Sequence, residues 1–368
     1  MVKFIFSVVL FLSCLISFGQ QSRGDKLLKA KLDSIFSTDF KETDPGGSVL
    51  ITKGNKVLYS RSFGLADLKT KEKCTPKTVF NTGSISKTFV AYGILILQSQ
   101  GKLSLEDSII KFFPDFQNKE IARKVKVIHL LTHTSGLPDN RKVDEDSLFY
   151  LTAKDNENFA PLKQTEALEF EPGSRWKYSN PAYNGLALII EKISGMKWQT
   201  FISEYIFKPS GMKHSKITDG PHPQNNVAHA YRKVNNRYED YDYGEYPTFA
   251  AAGNGGVWSS IEDLQKYVAA MKKCLFIDCN AIAFSQQVWH PTNWSGKETP
   301  TQGISWLVYE PKSKDEYKMI SHSGSQGGFR AHLFFIPEPD ISIIWLTNND
   351  KSLTSLIMPQ LFELGHIK

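Results

Sequence analysis

Ser84-Ile85-Ser86-Lys87 puts a hydroxyl and an amine three residues apart, one turn along any helix that holds both. A lysine buried there loses its proton more easily and can act as the base that activates the serine. A helix start also favours the negative charge that develops at the reacting oxygen. Spacing alone selects nothing, because Ser-x-x-Lys recurs from Ser99, Ser108, Ser174, Ser194 and Ser210. Ser84 differs in following Gly83 and opening a long apolar stretch without proline. The plainer reading makes Ser84 a helix cap and Lys87 a solvated side chain.

Two further groups extend the chemistry. Tyr178-Ser179-Asn180 is the sole Tyr-x-Asn in the chain and His322-Ser323-Gly324 the sole His-x-Gly. A phenol can relay protons between nucleophile and leaving group, and an Asn amide can hold a substrate carbonyl. A glycine on a strand lets backbone N–H groups approach an oxyanion. Each residue also has an ordinary use: Asn180 as a helix cap, Tyr178 as a half-exposed aromatic, His322 as a strand residue. His129 and His133, four apart, lack a nearby third ligand, so a metal site is not expected. The Gly-x-Ser-x-Gly, His-Glu-x-x-His and Gly-x-x-x-x-Gly-Lys signatures are missing, and no cofactor is implied.

The elements that must position these groups follow from periodicity. Asp25 to Phe40 carries one apolar helical face, and Ser48–Thr52 with Val57–Phe63 reads as a hairpin. Ser84 to Gln98 reads as a buried helix, and Val127 to Thr132 as a shorter one. Asn180 as N-cap, Pro181 and Gly195 frame another helix. Ser259 and Glu262 form a capping box for the next. Strands are expected at Ile304–Tyr309, Tyr317–Ser321, Phe329–Ile336 and Ile341–Leu346, followed by a helix from Ser352 to Leu364. Strands at both ends and helices between predict an α+β fold: a mostly antiparallel sheet built from both chain ends, flanked by helices, with a largely helical insertion over about 111–299.

In this order and at these intervals, Gly83–Phe89, His129–Pro138, Tyr178–Asn180, Ala252–Trp258 and His322–Phe329 resemble the class C β-lactamase-related serine hydrolases. The resemblance runs from about Lys26 to Asn349. It implies the β-lactamase and penicillin-binding-protein fold, with Ser84 as acylated nucleophile, Lys87 as its base and Tyr178 as proton relay beside Asn180. It further implies that His322 and Gly324 form the third motif, and that the N–H groups of Ser84 and Ser325 form the oxyanion hole. β-Lactamases carry Lys-Thr-Gly or Lys-Ser-Gly where this chain has His322-Ser-Gly324. The expected imidazole is neutral at pH 7 and gains a proton near pH 5.5, where it would mimic that lysine. An esterase or peptidase relative is therefore the better comparison. D-alanyl-D-alanine carboxypeptidase, D-aminopeptidase and weak β-lactamase activities are the alternatives, and a non-catalytic peptidoglycan- or peptide-binding relative is the alternative from another class.

Composition is that of a globular protein. Of 368 residues, 41% are hydrophobic and 22% charged; the net charge is +6, with bases and acids interleaved rather than clustered. That patterning argues against nucleic acid as a partner; the resemblance implies a small ester or peptide as substrate, cell-wall-derived peptides included. Met1-Val-Lys3, the apolar run Phe4–Phe18 and small residues at Ser17 and Gly19 predict a signal peptide over 1–19, cleaved before Gln20. Lipoprotein processing at Cys14 fits less well, and no later run reaches membrane-spanning length. An exported, periplasmic or secreted hydrolase domain over 20–368 is expected. It would hold Cys74, Cys274 and Cys279, the last two close enough in sequence to form a small disulfide loop or to remain thiols.

Overall fold

The computed structural model describes residues 23–141, 146, 149, 152–218, 225–241 and 250–367. The expected signal peptide over 1–19 lies outside the described residues.

Six strands form the central sheet: β1 (Gly47–Lys53), β2 (Lys56–Phe63), β3 (Leu307–Tyr309), β4 (Met319–Gln326), β5 (Phe329–Ile336) and β6 (Ile341–Thr347). Their order is β3-β4-β5-β6-β1-β2, antiparallel throughout. The seam between the chain ends is β1 against β6, where Val49 faces Trp345 and Ile51 faces Ile343. Alternation along each strand gives the sheet two apolar faces. Val49, Ile51, Phe334, Ile336, Ile343 and Trp345 pack on the terminal helices α1 (residues 23–39) and α7 (Thr354–Glu363). Leu50, Leu333, Phe335, Ile344 and Leu346 point instead into the larger core shared with the inserted helices.

That core is organised by α2 (Ser86–Ser99), in which every residue from Ser86 to Leu97 is buried. A helix apolar on all sides has no solvent face and must be surrounded. Against it lie α5 (Asn180–Ser194) and α6 (Ile261–Lys272), with Tyr267 of α6 stacked on Phe89, while α3 (Val127–Leu131) and α4 (Asp155–Lys163) pack on α5. Gly93 allows α5 to come close, since a Cβ there would lie 2.7 Å from the Ile190 Cδ1 methyl.

The α+β architecture is the one expected, with boundary corrections. A short 3-10 turn, Gly83–Ile85, precedes α2, so Ser84 sits on that turn rather than within the α-helix. Ser179, not Asn180, caps α5, its hydroxyl accepting from Ala182 N at 3.3 Å, which moves Pro181 from the first helical position to the second; the left-handed Gly195 ends the helix as expected. The cap of α6 is Ser260, accepting from Asp263 N, one residue beyond the expected box. β3 begins later than expected because 304–306 turns, with Ser305 at φ 66°, before it, and β4 runs from Met319 to Gln326 rather than from Tyr317 to Ser321. Cys274 and Cys279 are disulfide-bonded, their Cα atoms 5.2 Å apart, and Cys74 is a buried free thiol.

Candidate active site

The turn that carries Ser84 is pinned from both sides. Gly83 N donates to Asn81 Oδ1 at 2.7 Å, Thr82 Oγ1 to the Val257 carbonyl at 2.8 Å, and Val257 N to Ser86 Oγ at 2.9 Å. Strand β4 lies directly against this turn. A Cβ on Gly83, where φ is 51°, would fall 2.5 Å from Ser325 N; one on Gly324 would fall 1.9 Å from the Thr82 carbonyl oxygen and 3.1 Å from Ser84 N. Glycine is required at both positions, and the contact brings the Ser84 and Ser325 amides together. Strand β3 pairs with β4 only over Met319–Ser321, so from His322 onward the outer edge of β4 faces the serine turn. Two backbone N–H groups beside a half-exposed hydroxyl are the ingredients of an oxyanion hole.

Lys87 is fully buried one turn along, with Nζ 2.9 Å from Ser84 Oγ and donating to the Asn254 carbonyl at 2.7 Å. Among the described residues no carboxylate forms an ion pair with it. Burial holds its pKa well below the ordinary lysine value, and the nearby Arg141 guanidinium pushes the same way. A neutral amine that gives one N–H to a carbonyl keeps its lone pair for the serine proton. Behind it lies a buried polar network. Asp155 Oδ1 accepts from Asn184 Nδ2 at 2.7 Å and Gly253 N at 2.8 Å, while Asn184 Nδ2 also reaches Asn254 Oδ1 at 3.2 Å. Burial raises the Asp155 carboxyl to about 7 against the lowering effect of those bonds.

Ser84, Tyr178, Asn180, His322, Gly324 and Ser325 all line one cleft of about 870 Å³. Lys87 lies beneath it, its Nζ 5.1 Å from the centre of the Tyr178 ring. With Ser179 taking the cap, Asn180 is left at the cleft wall. His322 requires a correction. It is 6% exposed, and its Nδ1 lies 2.7 Å from the Ser323 carbonyl, which can only accept, so the neutral ring carries its proton there. Burial lowers its pKa to about 3. The imidazole therefore stays neutral at pH 5.5 and cannot mimic a lysine there; its Nε2 is an acceptor.

Sequence reasoning missed three contributors. The Asn254 carbonyl is a backbone group that no residue type announces, although Gly253-Asn-Gly-Gly256 signals a tight turn. Arg141, held by Asp139 at 2.8 and 2.7 Å, acts on Lys87 through space. Arg330 is a cation of the cleft lining, with Asp350 3.8 Å away. Neither histidine of the 129–133 pair has Nδ1 to spare for a metal: that of His129 accepts from Lys126 N and that of His133 from Ser179 N, each at 3.1 Å.

A buried lysine against a serine at the mouth of an α-helix, facing a strand edge between a sheet and a helical region, defines a β-lactamase or penicillin-binding-protein type of site. The Beta-lactamase family model matches residues 32–359, and the chain belongs to that family; its general class is serine hydrolase. It is 29% identical over 333 residues to Penicillin-binding protein 4* of Bacillus subtilis (strain 168), covering 87% of this chain and 72% of that protein. It is 26% identical over 342 residues to Protein flp of Staphylococcus aureus (strain MW2), covering 90% of this chain and 65% of that longer protein. Among solved structures, the octameric penicillin-binding protein homologue from Pyrococcus abyssi superposes with a TM-score of 0.78 at 27% identity, covering 91% of this chain and 77% of that one.

Proposed function

We propose that this chain is an exported hydrolase that opens a small ester or amide through an acyl-enzyme on Ser84. The observation that carries the reading is the buried Lys87 amine, 2.9 Å from Ser84 Oγ and without a carboxylate partner among the described residues. Lys87 takes the Ser84 proton as Oγ attacks the carbonyl carbon, and the oxyanion forms between the Ser84 and Ser325 amides. Tyr178, whose ring lies over Lys87, passes the proton to the leaving group; Asn180 holds the acyl carbonyl side of the substrate. Water then attacks the ester on Ser84, the same groups remove its proton, and Ser84 is regenerated. Gly324 permits the close approach, and His322 presents a neutral acceptor to the cleft.

The missing motif lysine favours neutral esters and small peptides, cell-wall-derived ones included, over β-lactams. The segment 1–19 is proposed as the export signal and 20–368 as the hydrolase domain; no helix among the described residues is long and apolar enough to cross a membrane. The test is a panel of p-nitrophenyl acyl esters, D-amino-acid peptides and a chromogenic cephalosporin, run on wild type and Ser84→Ala. Turnover fastest on an ester or D-peptide and abolished in Ser84→Ala is expected. The variant should stay folded, since a hydroxyl at a helix start contributes only about 1 kcal/mol. Tight peptide binding with no turnover on any substrate would favour the non-catalytic reading.

A further inference from the structure

His133 has no part in the chemistry above, yet it touches the Lys177-Tyr178-Ser179 segment at three points. Its carbonyl accepts from Lys177 N at 2.9 Å and its Nδ1 from Ser179 N at 3.1 Å, so the backbone is held immediately before and after Tyr178. Its ring lies 4.4 Å from the Tyr178 ring at 32°, a tilted stack. The residue is 1% exposed and sits at φ 58°, a left-handed conformation that a non-glycine side chain adopts at some cost. The chain after it continues the support: Thr134 and Gly136 carbonyls accept from Gly173 N and Glu169 N, each at 2.8 Å.

We infer that His133 is a positioning residue that clamps Tyr178 over Lys87 and Ser84, through the acceptor at Nδ1 and the carbonyl brought round by its left-handed backbone. The inference rests on the Tyr178 role proposed above. Nδ1 accepts an N–H, so the neutral ring holds its proton on Nε2. Burial keeps it neutral, which a clamp built on an acceptor needs. The Ser179 amide is the N–H that a cap residue leaves without an intrahelical partner, and His133 supplies one.

The test compares His133→Asn, His133→Gly and Tyr178→Phe with the two double variants on a p-nitrophenyl ester. Asparagine tolerates a positive φ and offers Oδ1 near the place of Nδ1, so His133→Asn should keep kcat within about threefold of wild type. Glycine adopts φ 58° without strain but removes the acceptor and the ring; kcat should fall at least about tenfold, the scale of a small misplacement in an active site. On the Tyr178→Phe background, His133→Gly should cost little more, because the group it positions is already gone. Full multiplicative loss with a slow Tyr178→Phe would overturn the clamp alone, as would His133→Asn as slow as Tyr178→Phe, which decides the matter even if the glycine variant does not fold. Wild-type turnover by Tyr178→Phe would overturn the Tyr178 assignment and the clamp with it.

Discussion

At the scale of single residues, the site depends on two side chains kept neutral by burial. On the proposed reading Lys87 can serve as a base because burial disfavours its charged form and, among the described residues, no carboxylate pairs with it; in solvent it would be a cation at neutral pH. Lys87→Arg keeps a positive charge but cannot accept a proton, so kcat/KM should fall at least about a hundredfold. For wild type, kcat/KM falls as pH drops through the lowered lysine pKa, so the acid limb of the pH profile should lie well below the ordinary lysine range. Near-normal activity of Lys87→Arg would move the base role to Tyr178. His322, lowered to about 3, gives the wild type no charge switch between pH 8 and pH 5.5. The ester-to-cephalosporin ratio of kcat/KM should accordingly be flat across that range, whereas His322→Lys should shift it toward the carboxylate-bearing cephalosporin. A ratio that moves with pH in wild type and not in Ser84-independent controls would show that His322 titrates.

At the scale of elements, patterns with long apolar stretches were legible and boundaries set by single hydrogen bonds were not. The run after Ser84, apolar from Phe89 to Leu97 and free of proline, reads as a buried helix, and Phe329–Ile336 between its turns reads as a strand. By contrast, Asn180 and Ser179 are both good caps, and the choice fell to the one whose hydroxyl reaches Ala182 N; that choice is what leaves Asn180 to the cleft. The contact of β4 with the serine turn is likewise a tertiary fact, carried by two glycines 241 residues apart in kind of role rather than by any local pattern. Asp155 ties α4 to the 253–254 turn and to α5, and its buried carboxyl at about 7 lies above the unfolded value near 4. A raised pKa means that the folded state holds the proton more tightly, so this stability is full below about pH 4 and is lost as pH rises through about 7. Asp155→Asn keeps the acceptor oxygen without the titration. Its Tm should therefore gain on wild type at pH 8 relative to pH 5; parallel Tm curves for the two proteins across that range would show that Asp155 does not titrate as described.

At the scale of the whole molecule, the sheet closes only because the first and last strand groups of the chain pair at β1 and β6, and that closure sets β4 against the start of α2. The Ser-x-x-Lys, Tyr-x-Asn and His-x-Gly groups lie far apart in sequence and line one cleft for that reason. Their types and order were readable in the chain, while the partners that tune them, the Asn254 carbonyl, Arg141 and His133, depend on packing between distant segments. The central claim is that bond cleavage passes through an ester on Ser84. It is tested most directly by labelling the protein with a fluorophosphonate and by quenching it during ester turnover, then locating the adduct by fragmenting the tryptic peptide Thr78–Lys87. The adduct is expected on Ser84 in both experiments, absent from Ser84→Ala; ester turnover with Ser84 unmodified, or with the adduct on Ser86 or elsewhere, would contradict the account.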